Sequence, residues 1–313
     1  MLGKTAGGLY WMMRYMERTE NTARMIDAGL RISLTRSSQA DSEWSSILKV
    51  TGQAPGYHAT YDKLRGRDVC DFMLRDRNNP SSVICAVEAA RMNAKLVRTA
   101  LTREVWEAVN ECWMTLDALS KQTIAPADLP EVLQIVRQRA AYVRGALHGS
   151  MLRNDNYNFA RIGTFYERAD SVARILDAKY HILLPSVAHV GSISDNMQWE
   201  AILRANSATR AYQTLHEGDY DPRDIAQFLI LDRRLPRSLA FCYNKIADNM
   251  RHLEQDYGER MPCHDTAHEI CDTFMGQSIE QIFEQGLHEF ITAFLQASFN
   301  LGVQIERDYR FVE

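Results

Sequence analysis

Apolar residues recur at helical spacing along almost every long segment of the chain. Leu9, Met12, Met13, Met16, Ala23, Ile26 and Leu30 fall on one face of a helix with about 3.6 residues per turn. Val83–Asn110 reads as a second long helix, opened by Pro80-Ser81-Ser82, where Ser is a good N-cap. Leu129–Met151 follows, with Pro130 in its first turn. Next come Asn158–Leu184, stopped by Pro185, then Asn196–His216, Pro222–Leu231 and Arg237–Tyr257, the last started by the same Pro-x-Ser device. Ser278–Tyr309 closes the chain, with Ile279, Ile282, Phe283, Leu287, Phe290, Ile291, Phe294 and Leu295 on one face. Gly52–Gly66, Leu152–Asn156 and His189–Asp195 read as loops. No segment alternates apolar and polar residues as a half-buried strand must, so the expected fold is all-α.

The pattern is written twice. Glu17–Ala28 (ERTENTARMIDA) answers to Glu167–Ala178 (ERADSVARILDA), with Glu, Arg, Ala, Arg, Asp and Ala kept in register. Trp44 with Ile47-Leu48 answers to Trp199 with Ile202-Leu203. Asp68-x3-Phe72-x3-Asp76-Arg77-x2-Pro80-x-Ser82 answers to Asp224-x3-Phe228-x3-Asp232-Arg233-x2-Pro236-x-Ser238. Three blocks in one order are what a tandem duplication leaves. The expectation is two helical repeats, 1–153 and 154–313, packed as one compact body with the seam at Asn154-Asp155-Asn156.

Composition narrows the function classes. The 313 residues are 46% hydrophobic and 24% charged with net charge −4, enough chain for two core-sized units. No run of Lys and Arg builds the basic patch a nucleic-acid binder uses, so nucleic acid is not an expected partner. Of 36 basic residues only 7 are Lys, which leaves 29 Arg; either bidentate capture of carboxylate and phosphate or a coding bias would produce that excess. Six cysteines without a C-x-x-C pair, no cleavable leader and no membrane-length apolar run lead us to expect a cytoplasmic protein with reduced thiols.

The duplicated blocks carry the candidate chemistry. Arg14, Glu17, Arg18, Asn21 and Arg24 fall within an arc of about 120° opposite the apolar stripe. The second copy keeps Glu167, Arg168, Ser171 and Arg174, with Thr164 in place of Arg14. Such a face is either solvated, paired between helices, or bound to an anion. Keeping the same charged types in both copies argues for fixed partners. The turn Asp232-Arg233-Arg234-Leu235-Pro236-Arg237-Ser238 feeds a helix N-terminus, where free N–H groups attract anions. Its first-copy twin is Asp76-Arg77-Asn78-Asn79-Pro80-Ser81-Ser82, and simple capping would also explain both. Cys263, His264, His268 and Cys271 have a spacing that would reach zinc, but no matching ligands recur in the other copy, so no metal is expected. Gly3-Lys4-Thr5 lacks the rest of a phosphate loop, and paired Glu-x-x-His motifs and Gly-x-Ser-x-Gly are absent; no intrinsic cofactor is expected.

Taken together the blocks resemble the alpha-E family of all-helical bacterial proteins. The resemblance rests on Leu9-Tyr10-Trp11-Met12-Met13-Arg14-Tyr15-Met16-Glu17-Arg18-x2-Asn21-Thr22-Ala23-Arg24, on Asn79-Pro80-x-Ser82, and on Glu104-Val105-Trp106-Glu107-x2-Asn110. In the second half it rests on Phe159-x2-Ile162-Gly163-x3-Glu167-Arg168-Ala169-Asp170-x2-Ala173-Arg174, Trp199-x3-Leu203-Arg204 and Asp232-x3-Pro236-Arg237-Ser238. Thr164 and Tyr166 depart from the Arg and Leu the resemblance leads one to expect. It implies a companion of a circularly permuted ATP-grasp ligase and of a transglutaminase-like peptidase. ATP and magnesium would then sit on the ligase, which activates a carboxylate as an acyl phosphate and joins it to an amine. The resemblance carries over no catalytic residue.

Two readings of the residues follow. In one, the chain binds an amino-acid or peptide substrate for the ligase. Arg14, Arg18, Arg24, Arg168 and Arg174 grip carboxylates, with Asn21 and Ser171 beside them. Glu17 and Glu167 hold the ammonium or act as general base. Arg234 and Arg237, flanked by Asp232 and Ser238, hold a phosphate. In the other, the chain is a helical scaffold whose Arg/Glu faces only lock it together. An open cleft between the Glu-Arg dipeptides favours the first; mutual pairing in a dry interface favours the second.

Overall fold

The long apolar stripe that opens the chain forms helix α1, Gly3–Thr35, in a computed structural model that describes residues 1–35, 40–183, 193–216 and 220–312, with side chains described outside 32–43 and 178–198. Helices α2 (Ala40–Val50), α3 (Ala54–Thr60), α4 (Gly66–Leu74), α5 (Val83–Leu96), α6 (Arg103–Ser120) and α7 (Leu129–Ser150) complete the first half. The second half runs through α8 (Asp155–Leu183), α9 (Ile193–Ala205), α10 (Thr209–Leu215), α11 (Pro222–Leu231), α12 (Leu239–Tyr257), α13 (Pro262–Met275), α14 (Ile279–Gln285) and α15 (Leu287–Asp308). Every regular element among the described residues is helical. The fold is all-α.

The two longest helices, α1 and α8, lie along each other at the centre. Each is walled by elements from both halves: α5, α7 and α9 pack on α1, while α12, α15 and α2 pack on α8. Thus α2 reaches across to the second half and α9 reaches back to the first. Gly163 allows the close crossing, since a Cβ there would run into the Tyr10 carbonyl. The apolar stripe of α1 is buried as its periodicity requires, but so is the face opposite it. On that opposite face Glu17 is 1% exposed and Asn21 is buried, and Glu20, which falls within the apolar arc, is also 1% exposed. Of the three alternatives for the charged face of α1, the solvated one therefore fails, and fixed partners hold it.

Three of the helical readings break where apolar periodicity gives no warning. Val83–Asn110 is interrupted by a short 3-10 turn, Arg98–Ala100, and Thr102 then starts α6 by accepting a hydrogen bond from Val105 N. Asn196–His216 divides at Ser207, whose φ of 54° takes the chain out of the helix. Ser278–Tyr309 divides at Gly286, with φ 101°, a value that suits glycine. The loop reading of Gly52–Gly66 omitted α3, which Pro55 starts. Ser82 and Ser238 cap α5 and α12 as the Pro-x-Ser reading expects. Pro185 and residues 184–192 lie outside the described residues, and α9 begins at Ile193.

Candidate functional site

Where α1 crosses α8, the two Glu-Arg dipeptides exchange partners. Arg168 of α8 donates from Nε and Nη2 to the two carboxylate oxygens of Glu17, both at 2.9 Å. Arg18 of α1 answers with Nε and Nη2 to Glu167, at 2.5 and 3.1 Å. Fork-to-carboxylate bonding of this kind fixes orientation as well as distance. Arg14 adds a bond from Nε to Glu167 at 2.9 Å, its guanidinium held between the Trp11 and Tyr166 rings. Each buried ion costs several kcal/mol to desolvate, so the arrangement persists only because every carboxylate is surrounded by donors.

The Glu17 side is closed further by Arg237, which sits 3.1 Å from Glu17 and 2.9 Å from Glu20 and donates to Asn21 Oδ1 at 2.9 Å. Arg144 bonds Glu20 and approaches Glu17 at 3.5 Å, and Arg24 bonds Glu20 and the Ser207 hydroxyl. Burial alone would raise the Glu17 pKa, but Arg168, Arg237 and Arg144 hold it well below the usual carboxylate range. Glu20 is likewise held low: burial and Glu17 push up, and Arg237, Arg144 and Arg24 outweigh them. Burial pushes Arg237 down to about 10, still cationic at neutral pH. An anionic group sealed among guanidiniums has neither the basicity nor the access that a general base needs. The catalytic reading of Glu17 therefore does not fit its place, and Arg168 is a structural partner.

The proposed phosphate turn also resolves differently. Arg237 points inward, away from the N-terminus of α12. Asp232 accepts the Arg234 backbone N–H at 2.7 Å and the Arg234 guanidinium at 2.7 Å, and the Asp232 carbonyl takes the Ser238 hydroxyl at 2.5 Å. Ser238 then caps α12 by accepting from Phe241 N at 3.0 Å. Asp232, Arg234 and Ser238 thus build a capped turn, and the expected cluster of converging arginines is not assembled. At the other candidate, His264 is buried, with Tyr309 Oη 2.8 Å from its Nε2 and Met261 N donating to its Nδ1. No group of three or more His, Cys, Asp or Glu that would hold a metal occurs among the described residues.

The Glu167 side stays open. A cleft of about 280 Å³ is walled by Arg18, Asn21, Glu167, Asp170, Ser171 and Arg174 from α1 and α8. Its rim is Thr51-Gly52-Gln53 and Ser81, which the sequence reading did not select. Arg18 commits Nε and Nη2 to Glu167, and Arg174 commits Nε and Nη2 to Asp170, so the Nη1 edge of each carries no hydrogen bond among the described residues. Asn21 Nδ2 is buried without a partner. The amide cannot be turned round to relieve this, because Oδ1 accepts from Arg237, which is donor only. Burial raises and Arg14 and Arg18 lower the Glu167 pKa, with a net downward shift. Of the predicted residues, Arg18, Asn21, Glu167, Ser171 and Arg174 therefore meet at one cleft; Glu17, Arg24, Arg168 and Arg237 belong to the sealed cluster, and Arg14 pairs with Glu167 without lining the cleft.

A family model named Alpha-E, described as a predicted alpha-helical domain with a conserved ER motif, matches residues 1–309. The chain belongs to the Alpha-E family. In this Alpha-E chain the Glu-Arg dipeptides are the reciprocal lock between α1 and α8, which gives the motif a physical role. Uncharacterized proteins of Mycobacterium bovis and Mycobacterium tuberculosis are each 23% identical to it over 272 residues, covering 81% of this chain and 30% of the relative. The chain thus spans about a third of the length of these relatives, counted over the matched part. No solved structure matches. No helix among the described residues is long and apolar enough to cross a membrane.

Proposed function

We propose that this chain is the substrate-holding companion of an ATP-grasp carboxylate–amine ligase, and that the cleft beside Glu167 is where it holds an amino acid or peptide end. The observation that carries the reading is that Arg18 and Arg174 line the cleft while their Nη1 edges carry no hydrogen bond among the described residues. A ligand carboxylate would supply acceptors for these two guanidiniums. Arg18 and Arg174 would grip that carboxylate while Asp170 and Glu167 face its amine. ATP, magnesium and the acyl phosphate belong to the partner ligase in this reading, and a transglutaminase-like peptidase is a second proposed companion. The setting is cytoplasmic, where ATP is supplied. Glu167 orients the amine and does not act as base, because its two guanidinium partners hold its proton affinity low.

The scaffold reading has its own support in the sealed Glu17–Arg168 pair. Amino-acid-dependent ATP hydrolysis by the ligase, with and without this chain, separates the two. Under the substrate-holding reading, hydrolysis requires the chain and falls about tenfold with Arg174→Ala. Hydrolysis that responds to the chain but not to that substitution would leave the scaffold reading.

A further inference from the structure

The sealed cluster and the open cleft occupy matching places in the two halves, and two substitutions separate them. Pro80-Ser81-Ser82 aligns with Pro236-Arg237-Ser238, so Ser81 stands where the second half has Arg237. Counting from Ile47-Leu48 against Ile202-Leu203, Gly52 stands where the second half has Ser207. The backbone agrees at that position: both residues follow a helix end with positive φ, 69° and 54°. Gly52 N bonds Lys49 O as Ser207 N bonds Arg204 O. On α1 and α8, Glu17, Glu20, Asn21 and Arg24 align with Glu167, Asp170, Ser171 and Arg174.

The sealed side shows what such a place accepts. There the Arg237 guanidinium rests on Glu17, Glu20 and Asn21, and Arg24 is tied to the Ser207 hydroxyl. On the open side the guanidinium is missing at Ser81, and Gly52 has no side chain to meet Arg174. The cleft is the space these two small residues leave. The charge setting is also matched. Without Arg237, Glu17 and Glu20 are served by Arg168, Arg144 and Arg24; Glu167 and Asp170 are served by Arg14, Arg18 and Arg174. Two carboxylates against three guanidiniums take a fourth cation in the first case. The Asp170 oxygens each accept one bond from Arg174 and keep lone pairs for another donor.

We infer that the cleft is a receptor for a guanidinium or primary ammonium brought by the ligand, seated on Asp170 and Glu167 beside Ser81 as Arg237 is seated on Glu20 and Glu17. This rests on the substrate-holding reading and sharpens it: the ligand is an arginine- or lysine-like amino acid, or a peptide ending in one. Its carboxylate meets Asn21, Arg18 and Arg174 while its cationic end fills the vacant seat.

Calorimetric titration of the purified chain tests this with L-arginine, L-lysine, a short peptide with C-terminal arginine, and L-alanine as an amino acid without a side-chain cation. Basic probes should bind about tenfold or more tightly than L-alanine, and the free amino acids against the peptide tell which source is preferred. Ser81→Arg, which places the protein's own guanidinium in the seat, should abolish L-arginine binding. Asp170→Asn, a variant that leaves the buried cluster untouched, should weaken L-arginine at least tenfold more than L-alanine. Equal binding of L-alanine and L-arginine would overturn the cationic seat while leaving the amino-acid site standing. No binding by any probe would overturn both.

Discussion

The two ends of the α1–α8 crossing start from the same residue pattern and finish in different states. At one end Glu17 and Glu20 are sealed by four guanidiniums; at the other Glu167 and Asp170 border a cleft. The difference lies not in the charged residues on the two long helices but in what approaches from outside them. Arg237 and Ser207 fill one end, and Ser81 and Gly52 leave the other unfilled. A shared Glu-Arg pattern is therefore a framework, and the small rim residues decide whether it is closed as structure or left open as a site.

The largest expected effect lies at the sealed end. Glu17→Gln removes the carboxylate that Arg168, Arg237 and Arg144 share, and should cost about 3–5 kcal/mol in denaturant unfolding. A loss below 1 kcal/mol would mean that the two ends do not differ in kind. Acid dependence follows from the same group. Glu17, Glu20 and Glu167 all have folded pKa values below their ordinary 4.5. Their contribution is thus fully present above about pH 5 and is lost as pH falls through the lower folded values. Unfolding curves between pH 6 and about pH 3 should show stability declining with acid, and Glu17→Gln should flatten the slope. Ser238→Ala removes the cap of α12 and should cost about 1 kcal/mol by thermal unfolding.

Smaller effects sharpen the open end. Arg174→Ala breaks a half-exposed pair with Asp170, so stability should change by about 0.5 kcal/mol or less while ligand binding falls. A large stability loss there would place Arg174 with the sealed cluster. Arg234→Ala, in the exposed turn before α12, should change neither stability nor binding measurably.

Much of the fold is legible in the pattern of the chain. Apolar spacing locates α1, α7, α8, α11 and the last helix, and Pro-x-Ser marks the starts of α5 and α12. The interruptions at Thr102, Ser207 and Gly286 are not legible that way, because the apolar faces on either side continue in phase across a local change of backbone. The Glu-Arg dipeptides are recognisable as a retained set, yet their partners are not. Arg168 could be placed on a face by periodicity, but only the crossing of α1 with α8 brings it to Glu17. Ser81 and Gly52 carry no chemical signal of their own and stand out only against Arg237 and Ser207.

What the sequence by itself determined is the all-helical architecture and the inventory of charged groups on α1 and α8, since these follow from local spacing along the chain. What only the tertiary structure decided is which charges meet and which remain reachable. That choice depends on Arg144 of α7 and on turn residues, Arg237 and Ser207 at one end and Ser81 and Gly52 at the other, closing around a central pair of helices. Burial turns one Glu-Arg set into a lock and leaves the other facing a cleft. The physical reason is that a guanidinium and a carboxylate far apart in sequence interact strongly only where packing excludes water, and packing is a property of the whole chain.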